Sequence, residues 1–232
     1  NTVLADVTST NIQTHLQYVL GESNALYNGL MPCFRNMDIA EDGSTWYGTL
    51  EANGERVSVA SNIAIFVTSA DSGGSWSFGN LINYSTISRN RLIEPSLMWV
   101  GTTLHLIARS AVSDYWHLHS TDNGATWTVD SNIALTGVIQ SKPTAINYTH
   151  ESTDYNVFAV NLTSEVVGNS GRTTLEVNHT TDFSSYTQIF KVVTATYAHY
   201  PKLLYWSGHL YISYTKGDDT TDRNKITLTR IF

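Results

Sequence analysis

Two groups of side chains in the sequence are of types that can bind metal ions. His117 and His119 lie two residues apart on a predicted strand, so both rings point to the same face and could chelate a transition metal. Segment 218–224 (DDTTDRN) offers oxygen ligands for calcium but lacks EF-hand spacing. The histidines have no third ligand near them in the sequence, and a polar turn explains segment 218–224 more simply. We therefore expect no metal and no other cofactor.

Glu94 and Arg109 lie fifteen residues apart and offer a different chemistry. In a β-blade such a pair most often forms an ion pair between blades, and the alternative is a functional site. The strands that carry these residues are predicted by short apolar runs separated by Gly, Asn and Asp turns, which begin at Met31. Four of these runs are 63–67, 104–108, 156–160 and 209–214.

The N-terminal segment has a different pattern. Thr10 and Gln13 form a capping box, and an apolar stripe follows and ends at Gly21, which predicts a short helix. We therefore expect residues 1–30 to form a helix or connector and residues 31–232 to form one all-β domain.

A turn motif is repeated in this domain. Segments 69–76 (SADSGGSW) and 120–127 (STDNGATW) share the spacing Ser-x-Asp-x-Gly-x-x-Trp, and segment 180–186 (TTDFSSY) is a third copy without the glycine. The three aspartates lie 51 and 60 residues apart, which is near the length of a four-stranded propeller blade with its loops. The carboxylate can accept backbone N–H groups of a tight turn, and glycine supplies a positive φ.

These repeats resemble the Asp-boxes of sialidases (neuraminidases) and other BNR-repeat β-propellers. Segments 94–101 running on to Arg109, 171–175 (GRTTL) and 198–204 (AHYPKLL) resemble further parts of the sialidase pattern, in the same order. The resemblance implies a small β-propeller of about four to five blades. Asp-boxes specify the fold and not the chemistry. The structural Asp-box residues are Asp71, Trp76, Asp122, Trp127 and Asp182.

The resemblance also implies roles for individual residues. Arg109, Arg172 and Arg35, the last in an echo of the aromatic-Arg-Ile-Pro signature, would bind the substrate carboxylate through planar, permanently charged forks. Glu94 would be the base and Tyr200 the nucleophile. A tyrosine hydroxyl is uncharged until it loses its proton, so it approaches an anionic substrate without repulsion.

Sialidases also use a carboxylic acid to protonate the leaving oxygen. Segment 57–62 (VSVASN), where the resemblance would place this acid, has no carboxylate. Asp38, Glu51 and Glu55 are the alternatives. The sequence therefore leaves open whether the chain hydrolyses a glycan.

Composition narrows the classes of partner. Thirteen Lys and Arg against 20 Asp and Glu give a net charge of −7, which excludes general nucleic-acid binding through a basic surface. No segment approaches the roughly 20 apolar residues of a membrane-spanning helix, so we expect no membrane insertion. The single cysteine, Cys33, excludes an internal disulfide, and the Ser-, Thr- and Asn-rich composition favours an extracellular, cell-surface or virion setting.

The leading hypothesis is a sialidase-like propeller domain that recognises an acidic, sialic-acid-type glycan. One alternative is a non-catalytic carbohydrate- or receptor-binding head, such as the tip of a viral or phage tail fibre, forming a homo-oligomer within a larger assembly. A third is a structural propeller that binds protein. Aromatic residues near turns would suit sugar stacking where they are not part of the core: Trp46, Tyr47, Trp99, Tyr115, Trp116 and Trp206.

Overall fold

The computed structural model describes residues 31–32, 38–56, 59–82, 92–109, 115–133, 141–162, 171–194, 197–217 and 225–232. These residues form sixteen β-strands and contain no helix. The all-β prediction is confirmed, and each of the four apolar runs lies within a strand. The predicted N-terminal helix and the boundary at residue 30 concern a segment outside the described residues.

The described strands form four antiparallel sheets, in keeping with the predicted four to five blades. The first contains β1 (Met31–Pro32), β2 (Asp38–Asp42), β3 (Thr45–Arg56), β4 (Val59–Ser69) and β5 (Ser77–Leu81). The second contains β6 (Ile93–Val100), β7 (Thr103–Arg109), β8 (Tyr115–Ser120) and β9 (Thr128–Asn132). The third contains β10 (Thr144–His150), β11 (Thr153–Leu162), β12 (Thr174–Thr180) and β13 (Thr187–Val193). The fourth contains β14 (Tyr197–Trp206), β15 (His209–Gly217) and β16 (Lys225–Arg230).

Consecutive strands are neighbours in every sheet, except that β1 and β2 both pair with β3. This order follows from short turns, because antiparallel strands need only a few residues to connect them. The same up-and-down order is that of a propeller blade.

The chain divides into two compact units. The first unit contains the described residues up to Leu106 together with Leu118–Val129. The second unit contains Ile107–His117 and Asp130–Phe232. Each unit has its own apolar core.

The core of the second unit is made by alternation along its strands. On β15, Leu210, Ile212 and Tyr214 are buried while the residues between them are partly exposed, which is the period of two expected of a half-buried strand. These side chains pack with Val157 of β11 and Leu203 of β14. The third and fourth sheets therefore share one apolar cluster.

The repeated turns in the first unit hold their aspartate carboxylates by hydrogen bonds. In the turn after β8, the Thr126 N–H donates to Asp122 Oδ1 at 2.8 Å, and the Ser120 hydroxyl donates to the same oxygen at 2.7 Å. The Gly124 N–H donates to the Ser120 hydroxyl at 2.8 Å. The turn after β4 repeats the pattern, with the Ser75 N–H 2.7 Å from Asp71 Oδ1.

Glycine is required in these turns for two reasons. Gly73 and Gly124 have φ values of 86° and 83°, and a Cβ atom on Gly124 would lie 2.2 Å from the ring of Phe66. Phe66 also packs edge-on against Trp127, at 5.6 Å between centroids. Gly124 and Trp127 therefore both pack against the buried ring of Phe66.

The third turn follows β12 in the second unit and keeps the aspartate function without the glycine. The N–H groups of Ser184 and Ser185 both donate to Asp182 Oδ1, at 3.0 Å each. Phe183 takes the positive φ, 56°, and its N–H donates to the Thr180 hydroxyl at 2.8 Å. Its buried ring stacks on His117 at 4.4 Å.

Candidate functional site

The candidate site in the second unit is built from strand ends. Arg109 is the last residue of β7 and Tyr115 the first residue of β8. In the third sheet, Asn161 is the penultimate residue of β11, and Leu162 pairs with Thr174 at the start of β12, two residues after Arg172. The repeated turn lies at the other end of β12, so the sheet separates it from Arg172.

Tyr115 is the residue on which both arginines act. Its side chain is fully buried, and its hydroxyl donates to the Ser141 carbonyl at 3.0 Å. Burial raises the pKa of the Tyr115 hydroxyl well above its usual value, while a backbone hydrogen bond from Asn161 and the charges of Arg109 and Arg172 oppose that rise. The hydroxyl is therefore neutral at physiological pH, and both predicted carboxylate-binding arginines lie close enough to influence it.

Tyr200 lies on β14 beside Arg172. The Arg172 guanidinium carbon is 5.9 Å from the centroid of the Tyr200 ring, which is the range of a cation–π contact. Half of the Tyr200 side chain is exposed (49%). We refer to Arg109, Tyr115, Arg172 and Tyr200 as the arginine–tyrosine cluster.

A bulge in β14 presents the Tyr200 ring. The register of β14 against β15 shifts between His199 and Lys202, and Tyr200 has a φ of 54°. Pro201 has no N–H to donate to the ladder, which suits it to a bulge. Bulges redirect side chains at functional sites.

His199 lies at the edge of this cluster. Its ring is 4.6 Å from that of Tyr200, and burial followed by the charge of Arg172 lowers the pKa of the His199 imidazole below its usual value. Its buried Nδ1 atom has no hydrogen-bond partner among the described residues. The lowered pKa makes this histidine a neutral group next to a fixed positive charge.

Glu94 lies in the first unit, near the start of β6. Its side chain is 8% exposed, which is unusual for a carboxylate, and its φ is 52°. Among the described residues, eight that are not glycine have positive φ, and six of them lie in turns. Glu94 and Tyr200 are the two within strands. Such strained positions cluster at functional sites.

The structure describes some of the other predicted residues and not others. Asp71, Trp76, Asp122, Trp127 and Asp182 lie in the repeated turns. Arg35 lies outside the described residues, and the side chains of Asp38, Glu51 and Glu55 are not described. Trp206 is 66% exposed, whereas Tyr47 and Tyr115 are buried and cannot stack on a sugar.

The two histidines considered as metal ligands have different neighbours. His117 Nδ1 lies 3.2 Å from Asp130 Oδ2, and the His119 ring lies 6.2 Å from that of His105. Among the described residues, no group of three or more His, Cys, Asp and Glu side chains could hold a metal ion. Segment 218–224 lies outside the described residues.

The roles of Tyr115, Ser141 and Asn161 in this site were not predicted from the sequence. Tyr115 was expected only as an aromatic near a turn, and Ser141 and Asn161 have no neighbouring motif. Their roles come from contacts across 13, 26 and 37 residues, which no local spacing encodes. The one available signal was a polar Asn161 directly after the apolar run 156–160.

The chain resembles sialidases in structure. No protein-family model and no curated protein matches its sequence. The sialidase of Trypanosoma rangeli in complex with sialic acid superposes with a TM-score of 0.61 at 17% identity, covering 80% of this chain and 29% of that chain. A point mutant of the NanB sialidase of Streptococcus pneumoniae gives 0.55 at 16% identity, covering 83% of this chain and 28% of that chain.

A protein of unknown function from Dyadobacter fermentans gives a TM-score of 0.64 at 14% identity, covering 83% of this chain and 51% of that chain. The chain thus spans less than a third of these two sialidases and about half of the Dyadobacter protein. In the described part of the chain, no helix is long and apolar enough to cross a membrane. The fold is that of a sialidase-like β-propeller.

Proposed function

We propose that this chain recognises an acidic glycan of the sialic-acid type at the arginine–tyrosine cluster. The observation that carries the proposal is the Arg172 guanidinium 5.9 Å from the centroid of the half-exposed Tyr200 ring, in a chain whose net charge is −7. The charges of Arg109 and Arg172 both act on the buried Tyr115 hydroxyl. An anionic ligand needs such a local positive site, and guanidinium forks bind carboxylates with two parallel hydrogen bonds.

The exposed ring of Tyr200 supports a sugar as the ligand. Aromatic faces pack against the apolar face of a sugar ring, while neighbouring charged groups fix its orientation. Arg172 lies beside this ring, and its charge acts on Tyr115 together with that of Arg109, so one arginine belongs both to the stacking surface and to the positively charged pair. The sialidase-like fold favours a sugar acid over other carboxylates.

Hydrolysis is the second part of the proposal. Tyr200 would be the nucleophile and Glu94 the base, as the sialidase resemblance implies. The positive φ of both residues within strands supports these roles, because a fold keeps such backbone strain where the side chain has to be placed. We place the encounter with the glycan outside the cell or on a virion, in keeping with the low fraction of charged residues in the chain.

The test is a binding and release assay with sialylated, polysialylated and uronic-acid oligosaccharides. We expect binding of sialylated oligosaccharides to weaken by about tenfold or more in Arg172→Met, since a charge-assisted hydrogen bond is worth about 1.5–3 kcal/mol. Arg230→Met is the matched control, because Arg230 is an exposed arginine on β16, and its affinity should stay at the wild-type value.

Released sugar, followed in the same reactions, separates enzyme from binding head. Release that Glu94→Gln abolishes, with binding intact, supports a hydrolase. Binding without release supports the carbohydrate-binding head. No binding to any oligosaccharide, or equal losses in Arg172→Met and Arg230→Met, contradicts the proposal.

A further inference from the structure

Arg172 and Tyr200 belong to different sheets, so their approach depends on contacts between the third and fourth sheets. Arg172 precedes β12 of the third sheet, and Tyr200 lies on β14 of the fourth. Contacts between the two segments involve the backbone of Ala198, two residues before Tyr200. The Ala198 N–H donates to the Arg172 carbonyl at 2.7 Å.

The side chain of Asn161 makes the second contact to Ala198. Its Nδ2 group donates to the Ala198 carbonyl at 2.5 Å and to the Thr174 carbonyl at 2.9 Å. Both peptide groups of Ala198 are therefore held, one by the backbone of Arg172 and one by the amide of Asn161. Thr174 follows Arg172 by two residues, so the same amide also holds the start of β12.

Asn161 is suited to this role by its donors. Its side chain is fully buried, and its Oδ1 atom has no hydrogen-bond partner among the described residues. Leaving the oxygen of a buried amide unpaired costs free energy. The amide is useful here because its two hydrogens are both donated to carbonyls. An aspartate would present only acceptors to those two carbonyls.

The backbone of Asn161 reaches the other half of the cluster. Its hydrogen bond to the Tyr115 hydroxyl opposes the rise in the pKa of that group, together with the charges of Arg109 and Arg172. Asn161 thus contacts both the buried Tyr115 and the segment that leads into the Tyr200 bulge.

We infer that Asn161 is a positioning residue that fixes the Tyr200 bulge against Arg172 and so sets the geometry of the glycan site. The part of this inference that concerns the glycan rests on the proposed function. The part that concerns the positions of Tyr200 and Arg172 does not. Asn161 acts through Ala198 and Thr174 and does not contact the ligand.

The test uses Asn161→Leu, which keeps the size and removes both donors. His199 is the reporter, because its ring contacts Tyr200 and its pKa is lowered by burial and by Arg172. We expect the imidazole signal of His199 in NMR spectra to move and its pKa to rise towards 6.5. Binding of sialylated oligosaccharides should weaken by about tenfold, because the ligand would then have to order the Tyr200 bulge when it binds.

Asn178→Leu is the matched control. Asn178 is a buried asparagine of β12 in the same sheet, and its Nδ2 atom has no hydrogen-bond partner among the described residues. Its variant should leave the His199 signal and glycan affinity unchanged. A folded Asn161→Leu protein with an unchanged His199 pKa, or an equal change in Asn178→Leu, overturns the inference.

Two measurements keep the inference testable if Asn161→Leu fails to fold. Asn161→Ser, which cannot reach both carbonyls, should give the same change at His199. In the wild-type protein the Ala198 N–H should exchange slowly with solvent, and exchange at the rate of an exposed amide overturns the inference. If the wild-type protein binds no oligosaccharide, the proposed function fails while the His199 result still decides the role of Asn161.

Discussion

The guanidinium carbon of Arg172 lies 5.9 Å from the centroid of the Tyr200 ring, across the boundary between the third and fourth sheets. This contact gives one arginine two neighbours of different character, since the same charge also acts on the buried Tyr115 hydroxyl. A ligand with both an apolar face and a carboxylate could use the exposed Tyr200 ring and the Arg172 guanidinium at once. Sugar acids have this combination.

Substitutions at Tyr200 should separate its ring from its hydroxyl. Tyr200→Phe keeps the ring over Arg172, so we expect glycan affinity within about twofold of the wild-type value and loss of any sugar release. Tyr200→Ala removes the ring and should weaken binding by about three- to tenfold, the range of an aromatic contact of about 0.5–1.5 kcal/mol. Calorimetric titration measures the glycan affinity of both variants. Equal weakening by Phe and Ala would show that the hydroxyl carries the binding.

Gly124→Ala should strongly destabilise the first unit. The substitution places a methyl group 2.2 Å from the Phe66 ring and forces alanine to a φ of 83°. Overpacking costs about 1–3 kcal/mol and the left-handed backbone about 1–2 kcal/mol, so we expect a loss of about 2–5 kcal/mol in the free energy of unfolding.

Gly101→Ala is the control for the backbone contribution. Gly101 has a φ of 60°, and nothing lies within 4 Å of its added Cβ. Its loss should be only about 1–2 kcal/mol. Denaturant unfolding of the two variants measures the difference, and equal losses would contradict the steric role of Phe66.

The contribution of Asp122 to stability should depend on pH. Hydrogen bonds from the Thr126 hydroxyl and N–H and from the Ser120 hydroxyl lower the pKa of the Asp122 carboxyl to about 2. Because the folded pKa is below the unfolded value of about 3.9, this stability is complete above pH 4 and is lost as the pH falls through about 2. The difference in unfolding free energy between wild type and Asp122→Asn should therefore be constant from pH 7 to 5 and shrink between pH 4 and 2. A difference that stays constant down to pH 2 would contradict this mechanism.

Two buried tyrosines should respond oppositely to loss of their hydroxyls. The Tyr115 hydroxyl donates to the Ser141 carbonyl, so Tyr115→Phe should lower the free energy of unfolding by about 1–2 kcal/mol. The Tyr148 hydroxyl is buried without a hydrogen-bond partner among the described residues, so Tyr148→Phe should be neutral or stabilising. Thermal unfolding of both variants provides the comparison. A destabilised Tyr148→Phe protein would indicate a partner for its hydroxyl.

The fold was predictable because its signals are local. Strands such as β7 and β11 follow apolar runs, and the repeated turns are stabilised by hydrogen bonds within five residues of each aspartate. The third copy of the turn keeps this backbone. Phe183 has a positive φ, as does the residue directly after the aspartate in the other two copies.

The site was predictable only in part. Arg109, Arg172, Glu94 and Tyr200 came from the sialidase resemblance, but the sequence could not show that Tyr200 is exposed on a bulge. Asn161 contacts Ala198 over 37 residues, and Tyr115 contacts Ser141 over 26. Such contacts depend on how the sheets pack, which no short segment specifies.

The left-handed backbone of Glu94 and Tyr200 has an evolutionary consequence. At these positions a side chain that tolerates positive φ, glycine or asparagine, should fold more favourably than the native one, so the fold bears a cost for the residues that it keeps there. A library of this chain selected for heat resistance alone should accumulate such substitutions at codons 94 and 200, and sequencing the survivors would reveal them. Selection for sugar release should restore the native residues, so the residues found at these two positions would report the balance between stability and activity.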